Sequence, residues 1–220
     1  MVVTIIVAAG EGKRIGSDIP KQFLLLNGKP ILWHTLYVFE KSPAVDEIVL
    51  VINPLWKEMS QKIAKDFFKI KHIVIGGKTR QESVWAGLKA VKKADIILVH
   101  DGVRPFVSQE LIKRVINSTY KYKAVVPALP ANDTVKWVED NIVKKTLPRE
   151  FIWFAQTPQG FKFDIIKNAY SKYKKETFTD DAALVEKLGI NVYVVTGELT
   201  NIKITTPEDL KWAEILLDFQ

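Results

Sequence analysis

The 220-residue sequence contains no cysteine. That excludes disulfides, thiolate metal centres and cysteine nucleophiles, and it fits a cytoplasmic enzyme. Histidine is nearly as scarce. His34, His72 and His100 have no metal-ligand spacing, and no G-x-S-x-G elbow supplies a serine nucleophile. No apolar run approaches the roughly 20 residues a membrane helix needs, so no membrane partner is expected. The chain opens on a strand and glycines rather than on a basic segment, an apolar core and a small-residue cleavage site. A secretory leader is therefore not expected either. Internal repeats and low-complexity tracts do not occur.

What the sequence does contain is an ordinary globular composition, 47% hydrophobic and 26% charged, of a length suited to one large domain or a domain with an appendage, read as a single domain over residues 1–220. The net charge is +7, from 32 Lys and Arg against 25 Asp and Glu. The lysines are scattered along helices (Lys57, Lys62, Lys65, Lys69; Lys167, Lys172, Lys174, Lys175) between acids and aromatics. That is a solvated surface rather than a nucleic-acid stripe, and no nucleic-acid-binding module appears. An anionic small molecule is the partner this balance favours.

Strand and helix patterns alternate. Nearly continuous β-branched apolar runs at Val3–Ala8, Glu47–Ile52, His72–Ile75, Ile96–His100, Ala124–Pro127 and Asn191–Thr196 read as strands of a sheet covered on both faces. Amphipathic helices lie between them. Pro30 suits the first turn of a helix through Lys41. Thr79 with Glu82 forms a capping box for a helix over Gln81–Lys92, and Thr206 with Pro207 and Asp209 opens the last helix, to about Leu217. Gly189 stops a helix over Asp180–Leu188. Repeated β-α units predict an α/β fold with a doubly wound, mostly parallel sheet.

One stretch breaks the rhythm. Thr134–Val138 and Ile142–Leu147 alternate polar and apolar around a Glu-Asp-Asn turn, which predicts a β-hairpin within residues 132–150. Val135 and Trp137 share one face, and a lone hairpin cannot bury such a surface. The hairpin is expected to reach a second subunit.

The first strand runs into Gly10, Gly12 and Gly16 with Lys13, Arg14 and Lys21 among them. The dinucleotide fingerprint G-x-G-x-x-G fails there, because position 15 is Ile and Gly16 comes one residue late. The P-loop pattern fails as well: Gly77-Lys78-Thr79 lacks its earlier glycine, since residue 72 is His. A glycine loop whose N–H groups can cradle phosphates remains, reinforced by Arg14 and Lys21. Crowded cations repel unless an anion sits between them, and a triphosphate carries several negative charges. Asp101, at the end of the fourth strand, is placed to hold Mg²⁺ beside that loop. His100 reads as a packed strand-end residue rather than a base. Gly76, Gly77 and Ser83 offer small groups that admit and hydrogen-bond a base.

The segments "AAGEGKRIGSDIPKQF", "GGKTRQESVWAGL", "VHDGVRPF", "DTVKW", "LPREFIWFAQTPQGF", "TDDAALVE" and "NIKITTPEDL" occur in order along the chain. Together they resemble the bacterial 2-C-methyl-D-erythritol 4-phosphate cytidylyltransferases. The resemblance implies transfer of CMP from CTP to a sugar-alcohol phosphate, releasing pyrophosphate, with Mg²⁺. It implies that Ala8, Ala9, Gly10 and Gly12 face the nucleotide, that Gly77 and Ser83 hold the cytosine and that Asp101 binds the metal. Arg14 and Lys21 would stabilise the transition state. Arg149 and Lys203 would position the acceptor, assisted by Thr134, Arg104 and Thr157. It further implies a homodimer interlocked by the hairpin, with Thr134 and Arg149 serving the neighbour's site. Lys78 and Thr200 depart from the family pattern, at positions where other members carry acidic residues. Rival readings are a ribitol 5-phosphate cytidylyltransferase, a sugar-1-phosphate nucleotidylyltransferase and a non-catalytic nucleotide-binding regulator. Arg14, Lys21, Asp101, Arg149 and Lys203 together argue against the last, because a pure binder has no need of acceptor-side cations.

Overall fold

A computed structural model describes residues 1–10, 19–174 and 176–218. The first strand, β1 (Val2–Ala8), is followed by a small hairpin of β2 (Leu25–Leu26) and β3 (Lys29–Pro30), then by α1 (Ile31–Lys41) and β4 (Glu47–Ile52). Next come α2 (Lys57–Ala64), β5 (Ile70–Ile75), α3 (Arg80–Ala90), β6 (Ile96–Asp101) and α4 (Gln109–Tyr122). β7 (Ala124–Pro130) leads into the hairpin of β8 (Val135–Glu139) and β9 (Ile142–Leu147). The chain returns through β10 (Trp153–Ala155) and β11 (Gln159–Lys162). It closes with α5 (Phe163–Lys172), α6 (Asp181–Lys187), β12 (Tyr193–Thr196) and α7 (Pro207–Leu217).

The main sheet runs β5-β4-β1-β6-β11-β7-β10, with β12 parallel along β7. β11 is antiparallel to both β6 and β7, so those two point the same way. The parallel strands therefore follow the third-second-first-fourth-fifth-sixth order of dinucleotide-binding sheets, with β11 interposed. Strand residues divide by parity between two apolar layers. Ile6, Leu50 and Leu98 pack with α1 and α4, while Ile5, Val51 and Val99 pack with α3, α5 and α6. Burial on both faces is why these strands carry no polar alternation.

Local signals set the boundaries. Thr79 and Glu82 form a reciprocal capping box, as do Thr206 and Asp209, with Pro207 in the first turn of α7. Gly189 ends α6 at φ 79°, a left-handed position suited to glycine. Pro30 precedes α1 as its N-cap rather than lying in its first turn.

Two antiparallel strands, β10 and β11, were not expected from the alternation. β11 is only four residues long, and Gly160 in its middle reflects tight packing. A Cβ there would lie 2.3 Å from Thr119 Oγ1 and 2.8 Å from Val115 Cγ1 on α4. The β8–β9 hairpin pairs with no other described strand. Its turn is the two residues Asp140 and Asn141, at φ 51° and 61°, with Glu139 already paired to Ile142. Trp137, Val138, Ile142 and Val143 are all about half exposed or more.

Candidate active site

In sheets of this order, ligands bind beyond the carboxyl ends of the strands where the winding reverses, here between β1 and β6. Val7 pairs with Asp101 at that end of the sheet. A cavity of about 410 Å³ opens there, its floor formed by Ala8, Ala9 and Gly10. One wall carries Lys21 and Lys203, and the other carries Gly77, Lys78, Arg80 and Ser83. The described walls thus present four cations and one carboxylate, Asp101.

Asp101 is buried amid opposite charge. Its Oδ2 lies 2.8 Å from Lys203 Nζ and 3.6 Å from Arg104 Nε, and its Oδ1 is 3.2 Å from Arg80 Nε. Burial alone would favour the neutral acid. Arg80, Lys203 and Arg104 outweigh it and hold the carboxyl far below the usual carboxylate range. Arg80 reaches further, donating from Nη2 to Asp181 Oδ2 at 2.7 Å. Burial opposes its charge too, but Asp181 and Asp101 together raise its pKa. Arg104 donates from Nη1 to Asn201 O at 2.7 Å.

A layer of buried polar side chains holds the site in shape. Gln22, 2% exposed, donates to Ala8 O at 2.8 Å and Gly10 O at 2.9 Å, strapping the end of β1. Asn53 Nδ2 donates to Ala9 O at 3.2 Å. Behind Asp101, Thr157 Oγ1 accepts from Asp101 N at 3.1 Å and lies 3.1 Å from His100 Nδ1. The hydroxyl therefore gives its own proton to Nδ1, and His100 Nε2–H donates to Arg104 O at 3.0 Å. Burial pushes the His100 pKa down to about 4, so the ring is neutral and acts as a brace. Asn201 Nδ2 donates to Thr157 O at 2.8 Å, joining the segment that carries Lys203 to this layer.

The wall that carries Gly77 and Ser83 is drawn close by its glycines. A Cβ on Gly76 would lie 2.5 Å from Ala9 Cβ, and one on Gly77 would lie 2.3 Å from Glu82 Cβ. Ser83 Oγ accepts from Gly77 N at 3.2 Å and donates to Thr79 O at 2.8 Å. One acceptor position on that hydroxyl stays unused, open to an N–H donor.

The geometry sorts the residues singled out in the sequence. Ala8, Ala9, Gly10, Lys21, Gly77, Ser83, Asp101 and Lys203 share the cavity. Gly12 and Arg14 lie outside the described residues. Arg104 stands behind Asp101, buried. Thr157 does not line the cavity. Its buried hydroxyl is engaged by Asp101 N and His100, so it braces the site where substrate contact was expected. Thr134 and Arg149 are exposed and line no part of this chain's own cavity. Arg149 Nη1 donates to Asn132 O at 2.6 Å. Sequence reasoning missed Gln22, Arg80, Asn201 and Asp181. Only their partners, distant in sequence, reveal them.

Sheet order, switch-point cavity and cationic lining define a nucleotidyltransferase of the Rossmann-like α/β class. A family model described as 2-C-methyl-D-erythritol 4-phosphate cytidylyltransferase matches residues 2–218. The protein of that name from Geotalea uraniireducens is 47% identical over 224 aligned residues, covering 98% of this chain and 96% of its own. Among solved structures, 4-diphosphocytidyl-2C-methyl-D-erythritol synthase from Anaerococcus prevotii superposes with a TM-score of 0.88 at 37% identity, covering 99% of this chain and 96% of that one. The 2-C-methyl-D-erythritol 4-phosphate cytidylyltransferase of Thermus thermophilus superposes with a TM-score of 0.80 at 35% identity, covering 99% and 100%. The chain belongs to the 2-C-methyl-D-erythritol 4-phosphate cytidylyltransferase family.

Proposed function

We propose that this protein transfers a cytidylyl group from CTP to 2-C-methyl-D-erythritol 4-phosphate, forming 4-diphosphocytidyl-2-C-methyl-D-erythritol and pyrophosphate, in isoprenoid precursor synthesis. The supporting observation is the switch-point cavity, where cations gather round one ionised carboxylate next to Gly10 just beyond β1. In the reaction an acceptor phosphate oxygen attacks the α-phosphorus of CTP. The bond from that phosphorus to the bridging oxygen breaks, and pyrophosphate leaves with the electron pair. A phosphate monoester has a second pKa of about 6, so the nucleophile is already largely a dianion at neutral pH and needs no general base. The neutral, buried His100 agrees with that chemistry.

The work left to the protein is to bring two anions together and to stabilise charge building on the phosphoryl oxygens and leaving group. Lys21 on the cavity wall and Arg14 in the loop supply that stabilisation. Lys203 on the cavity wall positions the acceptor phosphate together with Arg149, while Arg104 assists from behind Asp101. Mg²⁺ fits the donor set: Asp101 is a hard oxygen ligand on the cavity wall, kept ionised, and the triphosphate and water would complete the shell, as Mg²⁺ commonly requires. When bound, the ion would neutralise charge on the triphosphate. The half-exposed apolar side chains of β8–β9 support a homodimer formed by the hairpin. Arg149, exposed and absent from the lining of its own cavity, is then supplied to the partner's site with Thr134.

The test measures pyrophosphate release from CTP with 2-C-methyl-D-erythritol 4-phosphate, with ribitol 5-phosphate, and with no acceptor. Release with the methylerythritol phosphate alone is expected. Preference for ribitol 5-phosphate would reassign the acceptor, and no release with any polyol phosphate would leave a nucleotide binder.

A further inference from the structure

Arg80 joins two carboxylates that are 80 residues apart in the chain and play unequal parts. Its Nε meets Asp101 Oδ1 on the cavity wall, and its Nη2 meets Asp181 Oδ2 in the interior. Asp181, the first residue of α6, is wholly buried and also accepts a hydrogen bond from Tyr170 OH on α5. Its charge lies too deep to meet a substrate, yet burying a carboxylate costs desolvation that a hydrophobic side chain would avoid. The backbone of Arg80 is also held, because it is the first helical residue after Thr79, within the Thr79–Glu82 capping box.

The pairs on Asp101 are arranged by oxygen. Those with Lys203 and Arg104 fall on Oδ2, and the one with Arg80 falls on Oδ1. Lys203 is the least fixed of the three, with its side chain 38% exposed, whereas Arg104 is tied to Asn201 O. A guanidinium is a rigid planar fork, so fixing its Nη2–H on Asp181 restricts the direction of the Nε–H that meets Asp101. A lysine ammonium is a point charge on a flexible stem and sets no such plane.

We propose that Arg80 is a positioning residue: anchored by the buried carboxylate of Asp181, it holds the Asp101 carboxylate so that Oδ2 faces Lys203 and Arg104. This rests on the reading of Asp101 and Lys203 as parts of the reacting site. The alternative role for Arg80 is to neutralise Asp181 and nothing more. Pairing Arg80→Met with Asp181→Asn separates the two, because the double variant removes both charges and leaves no stranded ion.

The experiment compares wild type, Arg80→Lys and Arg80→Met/Asp181→Asn by melting temperature, by calorimetric CTP binding without acceptor, and by kcat and KM for pyrophosphate release. Both variants are expected to bind CTP within about threefold of wild type. Their kcat should fall by about 10²-fold, the scale on which a misplaced group acts. The double variant should melt close to wild type despite its low kcat. Wild-type kcat in the double variant would mean that Arg80 only neutralises Asp181, and the inference fails. Should the double variant not fold, Arg80→Lys decides alone, since it keeps the charge and loses the plane: wild-type turnover there also overturns the inference. A wild-type enzyme that releases no pyrophosphate would instead overturn the proposed function and take this inference with it.

Discussion

Replacing Asp101 by asparagine keeps the side chain's shape and removes its charge, leaving Arg80, Lys203 and Arg104 without a shared counter-ion. Removing one partner of a buried pair typically costs about 3–5 kcal/mol when the other is stranded. Two of the three are not stranded here. Arg80 keeps Asp181, and Lys203 is exposed enough to turn its ammonium to water. Arg104 takes the loss: it is buried and its Nε has no hydrogen-bond partner. The expected destabilisation is therefore smaller, about 2 kcal/mol, which in a chain of this size lowers the melting temperature by about 4–8 °C. CTP binding without metal moves the other way. At an effective dielectric of 20, a carboxylate about 6 Å from a phosphate repels it by roughly 3 kcal/mol before the neighbouring cations screen it. Removing it should tighten metal-free CTP binding by on the order of 1 kcal/mol, about fivefold. Turnover with Mg²⁺ should nevertheless fall by about 10²-fold, since the proposed metal ligand is gone. Scanning calorimetry, titration of CTP in the presence of a chelator, and pyrophosphate release read the three quantities. An asparagine variant that melts with wild type and binds metal-free CTP no more tightly would refute Asp101 as the counter-charge of the cavity.

Three further expectations follow from the same geometry. His100 should make the fold acid-sensitive. Its pKa is lowered by burial to about 4 against about 6.5 unfolded, so below pH 6.5 the unfolded chain binds the extra proton. Its contribution, about 3 kcal/mol, is complete above pH 6.5 and lost as pH falls towards 4, and urea midpoints across that window should flatten in His100→Gln. Gln22→Leu leaves the Ala8 and Gly10 carbonyls without their donor, which should cost about 2–3 kcal/mol in denaturant titration and raise the KM for CTP several-fold. Finally, mixing the inactive variants Arg14→Met and Arg149→Ala under subunit exchange should restore about a quarter of wild-type activity, because half the dimers are mixed and each has one intact site. No recovery, with mixed dimers demonstrated, would return Arg149 to its own subunit.

The parts of the molecule legible in the sequence are those whose cause is local. Thr79 with Glu82, Thr206 with Asp209 and Gly189 each act within a few residues and lie where they were read, and the hairpin turn is one residue shorter than the Glu-Asp-Asn read for it, since Glu139 is already paired. Although β5 and β12 are largely exposed despite their apolar runs, β1, β4 and β6 were legible because both faces are buried. β10 and β11 were not, for the opposite reason: they are three and four residues long and take their form from strands already in place. The site divides in the same way. Lys21, Asp101 and Lys203 stand in motifs that announce charge, while Arg80 becomes meaningful only once Asp181, 101 residues later, is beside it. Thr157 shows the converse. The resemblance gave it an acceptor-side role, and only the hydrogen bonds from Asp101 N and to His100 show that its hydroxyl is already engaged.

The pH dependence of catalysis should belong to the substrate rather than to the enzyme. The described cavity wall carries one carboxylate, held ionised well below neutral pH, and the histidine behind it stays neutral down to about pH 4. The described lining carries no histidine, the side chain whose ordinary pKa falls between pH 5 and 8, where an acid–base catalyst would have to titrate. The acceptor phosphate does titrate there, with a second pKa of about 6. kcat/KM should therefore fall about tenfold for each unit of pH below 6, as the reactive dianion is lost. Replacing the acceptor phosphate by a phosphonate, whose second pKa is higher, should move the acid limb upward by the difference between the two acceptors. His100→Gln should leave that limb in place while shifting only the stability of the fold. An acid limb that ignored the phosphonate and moved with His100 would mean that the enzyme itself supplies the proton acceptor.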